Sequence, residues 1–114
     1  MSELGRVEFS VEGSTGTPYD VTFVLREDSN LSAYCTCPAG QNGMYCKHRF
    51  AILSGDGRAI TSGKPEHIVL VQEWLAGSDV EAAMQRVVEL EKEAAKAKRA
   101  VSAAKKDLAA AMRD

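Results

Sequence analysis

The stretch Tyr34-Cys35-Thr36-Cys37-Pro38-Ala39-Gly40-Gln41-Asn42-Gly43-Met44-Tyr45-Cys46-Lys47-His48 holds every cysteine of the chain and one of its two histidines. Its ligand-type residues fall as Cys-x-Cys, a gap, then Cys-x-His. Three thiols and an imidazole are a donor set suited to a tetrahedral structural zinc ion. Disulfide chemistry fits poorly, because the cysteine count is odd and residues 35 and 37 are too close for relaxed bridge geometry. The stretch is therefore read as a site for one Zn2+ per chain.

Spacing adds detail. On a straight strand, Cys35 and Cys37 would be too widely separated to share an ion comfortably, so a tight bend is expected between them. Pro38 biases Cys37 away from helix, and Gly40 and Gly43 permit the reversal that brings the chain back. Cys46 to Leu53 reads as a short helix, with Cys46 just before its first turn and His48 within it. With three thiolates and a neutral imidazole around a divalent ion, the site carries a net negative charge, which Lys47 and Arg49 are placed to balance.

The pattern, with proline directly after the second cysteine and Cys-Lys-His running into an apolar helix, resembles the SWIM-type zinc finger family over Tyr19 to Leu53. The resemblance makes Cys35, Cys37, Cys46 and His48 the metal ligands. It implies a small strand–strand–helix fold that binds protein or nucleic acid. Family members include helicase-type ATPases and transposase-like proteins, and neither kind of segment is present in this chain.

Upstream, Arg6 to Glu12 alternates polar and apolar residues, with Val7, Phe9 and Val11 on one face of a strand. Gly13 to Pro18 is a turn by composition. Tyr19 to Leu25 alternates again, burying Tyr19, Val21, Phe23 and Leu25, and Leu31 to Tyr34 is a third strand delivering Cys35. The aromatics Phe9, Tyr19, Phe23, Tyr34 and Phe50 are expected in the core. Ser54 to Arg58 reads as a flexible connection. Pro65 at a first helical position favours a helix over the following apolar residues, although 67–76 has some strand character. Trp74 is expected to pack on the finger core, and His67 to be solvated or hydrogen-bonded.

From Ser78 to Arg113 the chain has no glycine or proline. Ser78 and Glu81 have the spacing of a capping box. The helix that follows would be about 54 Å long. Its first-position set is Val80, Val87, Ala94, Val101 and Leu108; its fourth-position set is Ala83, Leu90, Ala97, Ala104 and Ala111. All are apolar, as in a supercoiling seam. A second copy is the simplest cover for such a stripe. Folding back on its own domain and pairing with a different protein are the other possibilities. Asp79, Glu81, Glu89, Glu91 and Glu93 crowd the first half, and Lys96, Lys98, Arg99, Lys105 and Lys106 the second. That distribution favours antiparallel pairing through residues 78–113, and also complements the helix dipole.

The fold class expected is thus α+β: a small antiparallel sheet and short helix organised on one zinc, then a long coiled-coil-like helix. The corresponding domains are 1–60 for the finger, 61–77 for a connecting segment with a short helix, and 78–114 for the heptad-patterned helix. Net charge is −2, and residues 35–67 carry four basic and two acidic side chains. This is too little positive charge for indiscriminate phosphate binding. The longest aliphatic run, Ile68 to Val71, is too short for a membrane span. Metal-assigned thiols without an export signal point to the cytoplasm. The function expected is a non-catalytic interaction module, making protein contacts through the finger and a helical oligomerisation arm. The alternative is a DNA-binding finger presented as a dimer. Four protein ligands leave no open metal position, so neither an enzyme nor a small-molecule substrate is expected.

Overall fold

In the computed structural model, residues 3–13 and 16–113 are described. Ser14 and Thr15 of the turn expected at 13–18, and Asp114, lie outside them. The elements in order are β1 (Glu3–Val11), β2 (Tyr19–Arg26), β3 (Leu31–Cys35), α1 (Pro38–Gln41), α2 (Lys47–Leu53), β4 (Ile60–Ser62), α3 (Pro65–Leu75) and α4 (Asp79–Ala111). The chain divides into two compact units, Met1–Glu81 and Ala82–Asp114.

In the first unit the strands form one antiparallel sheet in the order β3-β2-β1-β4. The period-2 pattern sets its register. Val7 lies opposite Phe23 and Phe9 opposite Val21, so the apolar residues of both strands share one face. Phe9 and Phe23 meet edge to face with ring centroids 6.0 Å apart, a favoured aromatic arrangement. Cys35 pairs with Val21 and Leu31 with Leu25, placing the end of β3 on that same face. Ile52 and Leu53 of α2 and Val71 of α3 complete the buried core.

The pleat corrects two of the sequence-based expectations. Tyr34 is 60% exposed, because Cys35 faces inward and its neighbour on the strand must face outward. Val24, off the alternating set, is buried, whereas Leu25 and Tyr19 are only half-buried. The connection after the finger helix is also more ordered than its composition suggested. Asp56 accepts hydrogen bonds from the backbone N–H and the guanidinium of Arg58, and the chain then enters β4, which pairs with β1 through Ile60 and Ser62.

Residues 65–75 are helical, with Pro65 in the first turn and Glu66 beside it. Trp74 packs against the start of β1, where a Cβ at Gly5 would come within 2.8 Å of Cζ2 of the indole. Ser78 Oγ accepts the Glu81 N–H at 3.2 Å and donates to the Leu75 carbonyl at 2.6 Å. The Glu81 carboxylate reaches one residue further back than a standard capping box, to the N–H of Gly77 at 3.1 Å. Asn30 Oδ1, in the β2–β3 turn, accepts the N–H of Asp79.

The second unit is the body of α4, which has no buried residue. At about 1.5 Å per residue its 33 residues make a rod of about 50 Å. Leu90, Val101 and Leu108 on its apolar stripe are 46%, 53% and 59% exposed. Among the described residues no helix is long and apolar enough to cross a membrane.

Candidate metal centre

Cys35 is the last residue of β3. The bend beyond it is made by Thr36, whose N–H donates to the Asp20 carbonyl at 3.0 Å and whose Oγ1 accepts the Asp20 N–H at 2.9 Å. These two bonds carry the β2–β3 ladder one residue past the strand and release Cys37 from it. Cys37 takes extended dihedrals and caps α1, with Pro38 as the first helical residue. Proline directly after Cys37 thus starts a helical turn as well as keeping Cys37 extended. The Cys37 sulfur accepts the Gly40 N–H at 3.3 Å.

The two glycines of the gap have different roles. Gly43 has a φ of +69° with nothing near its missing side chain, so it supplies a left-handed turn. Gly40 is needed for space: a Cβ there would lie 2.3 Å from the Cys35 carbonyl oxygen. Cys46, extended, precedes α2, and His48 sits in its first turn.

These elements bring all four sequence-predicted residues together. The Sγ atoms of Cys37 and Cys46 are 3.4 Å apart. Nδ1 of His48 is 3.8 Å from Cys35 Sγ and 3.6 Å from Cys46 Sγ. All four ligand atoms lie within 4.8 Å of one another, and the three cysteines are free thiols. A tetrahedral ion with sulfur at about 2.3 Å and nitrogen at about 2.0 Å requires ligand–ligand edges of roughly 3.5–3.8 Å. The donor set and its separations therefore fit zinc. Nδ1, rather than Nε2, is the imidazole atom turned toward the sulfurs.

The thiols are electrostatically unequal. Burial pushes Cys35 up to about 12, with Cys37 and Cys46 adding to the effect beyond an opposing backbone hydrogen bond from Cys37. Burial also opposes ionisation of Cys46, yet its thiol is held down to about 6 by the backbone amide of Arg49 and by Cys37, His48 and Cys35. The Cys46 thiol thus ionises far more readily than that of Cys35, and binding of a divalent cation would release the Cys35 proton.

Around the cluster, the Tyr19 ring lies 5.3 Å from that of His48, tilted by 55°. An apolar groove of about 860 Å³, walled by Val11, Tyr19, Ile52 and Ile60, runs past Cys37, Cys46 and His48. Arg49 differs from its expected role. Its guanidinium donates to the carbonyls of Ala33 at 3.0 Å and Met44 at 2.6 Å, so it clamps the backbone around the site. No signal in the sequence separated this role from simple charge balance. His67, the second histidine, is not part of the cluster.

No curated protein and no solved structure matches the chain. The family model of the SWIM zinc finger matches residues 19–54, which take in β2, β3, α1, α2 and all four clustered residues. Residues 19–54 are thus similar to a SWIM zinc finger, with Cys35, Cys37, Cys46 and His48 positioned to bind one zinc ion.

Proposed function

We propose that the chain is a non-catalytic, zinc-organised interaction module in a reducing, cytoplasmic setting, whose finger contacts protein and whose α4 is a self-association arm. The observation that carries this reading is the donor count. Three sulfurs and one ring nitrogen fill a tetrahedral shell, whereas a catalytic zinc keeps one position for water or substrate. When bound, zinc supplies a structural cross-link between β3, the α1 turn and α2. Thr36, Gly40 and Arg49 hold the chain in the shape that presents the four donors.

A protein partner is favoured over phosphate by the fate of the basic residues. Arg49 is engaged with backbone carbonyls, and Arg58 is paired with Asp56 at 2.8 Å. Of Lys47, Arg49 and Arg58, that leaves Lys47, a weak basis for affinity to a polyanion. Met44 and Tyr45, by contrast, are 63% and 62% exposed on the loop between α1 and α2, and exposed aromatic and methionine side chains are common at protein interfaces.

Metal analysis and sedimentation equilibrium on one purified sample test the proposal. It predicts one zinc per chain, a doubled mass, and no mass change when duplex DNA or RNA is added at low salt. A salt-sensitive complex with either nucleic acid would replace the protein-contact reading.

A further inference from the structure

The α4 stripe supports a more specific statement, which rests on the self-association reading above. We infer that α4 pairs with a second copy antiparallel and in full register. In this arrangement Val80 and Val87 meet the partner's Ala111 and Ala104, Leu108 meets the partner's Ala83, Val101 meets the partner's Leu90, and Ala94 meets the partner's Ala97.

Layer volumes are the first argument. In a parallel, in-register pair each seam residue faces its own counterpart. Leu90 and Leu108 would make wide Leu–Leu layers, while Ala97, Ala104 and Ala111 would make thin Ala–Ala layers. Two rods cannot hold one separation through both kinds of layer without voids or strain. The antiparallel register sets one large residue against one small residue in the layers of Val80, Val87 and Leu108 and in their symmetry mates. The Leu90–Val101 layers then flank a central pair of Ala–Ala layers, so the variation in width is confined to the middle of the rod.

Charge is the second argument. In antiparallel coiled coils, like flanks of the seam face each other. Glu91 then meets the partner's Lys98, and Arg86 meets the partner's Asp107, each contact occurring twice by symmetry. Flank charges alone do not exclude the parallel pair, in which Arg86 would meet the partner's Glu91 and Glu93 the partner's Lys98. That pair, however, leaves Asp107 opposite the partner's Met112. It also sets the acidic first half of one rod beside the acidic first half of the other, and basic beside basic. The antiparallel pair sets the acidic first half of one rod against the basic second half of the other, which favours it electrostatically.

Asp107 distinguishes the arrangements. Sedimentation equilibrium on the zinc-loaded full chain would compare the wild type with Asp107→Arg, Arg86→Glu and the double variant, with helicity and zinc content checked for each. The antiparallel register predicts that each single variant raises the dimer Kd about tenfold. The double variant, with its charges exchanged, should return close to the wild-type value. If Asp107→Arg leaves the Kd unchanged, Arg86→Glu weakens it, and the double variant shows no rescue, the register is overturned while self-association stands. A wild-type chain that stays monomeric at millimolar concentration overturns the self-association reading itself.

Discussion

The Arg49 guanidinium donates to the Ala33 carbonyl across 3.0 Å, tying the start of α2 to β3 while its other terminal nitrogen holds the Met44 carbonyl. One side chain thus fixes the three segments that deliver Cys35, Cys46 and His48. Charge-assisted hydrogen bonds to backbone are worth more than neutral ones. Arg49→Ala is expected to destabilise the zinc-loaded finger by about 2 kcal/mol in denaturant unfolding. Arg49→Lys should recover only part of that, because an ammonium lacks the planar fork. An unchanged unfolding midpoint for Arg49→Ala would show that the clamp does not contribute.

Gly40 and Gly43 are expected to respond differently to alanine. At Gly40 the new methyl would collide with the Cys35 backbone, so α1 must move and Cys37 with it. At Gly43 the cost is confined to a positive φ, about 1 kcal/mol. Competition with a chromogenic chelator should show zinc affinity falling well over tenfold for Gly40→Ala and only slightly for Gly43→Ala. Equal losses would mean that the close approach of Gly40 to Cys35 is unimportant.

The Arg58 side chain, by hydrogen bonding, holds the Asp56 carboxyl down to about 2 from its ordinary 3.8. A carboxyl depressed on folding contributes stability that is present above 3.8 and is lost as pH falls through about 2. Both groups are solvent-accessible, so the contribution is small. An NMR titration should find the Asp56 midpoint clearly below 3.8 in the wild type and returned toward it in Arg58→Ala. A wild-type midpoint at the ordinary value would show that the pair does not persist in solution.

Ser78 is buried and serves both helices that it joins, accepting from Glu81 and donating to Leu75. Ser78→Ala should cost about 1 kcal/mol, the usual value of a helix cap. Ser78→Asp, which keeps the acceptor but not the donor, should cost less. Equilibrium unfolding of the zinc-loaded chain checks this, and an alanine variant as stable as the wild type would contradict it.

Much of this architecture was legible because it rests on periodicity and on ligand chemistry. Val7, Phe9 and Val11 announced a strand by alternation, and Pro65 and the Ser78–Glu81 spacing marked two helix starts. Cys35, Cys37, Cys46 and His48 declared a common centre by their donor types. The features that stayed hidden depend on contacts distant in sequence or on very short segments. β4 has three residues, two of them exposed, too few to show a pattern before Val11 supplies a pairing partner. The α1 turn lies in a Gly- and Asn-containing loop and is stabilised by the Cys37 cap rather than by helix propensity. Tyr34 looked like core by composition, yet the inward direction of Cys35 turns it outward. The Arg49 clamp depends on the Ala33 and Met44 carbonyls, which only the folded chain brings to its guanidinium.

The central claim is that one zinc ion, held by three sulfurs and the Nδ1 atom of His48, shapes the finger. A core this small seldom provides more than about 3–5 kcal/mol by itself, whereas zinc binding in finger peptides is worth roughly 10–16 kcal/mol. X-ray absorption at the zinc edge, with metal quantified on the same sample, tests the claim most directly. It should give one zinc per chain, with three sulfurs at about 2.3 Å and one imidazole nitrogen at about 2.0 Å. A folded protein without stoichiometric zinc, or a shell dominated by oxygen and nitrogen, would contradict it.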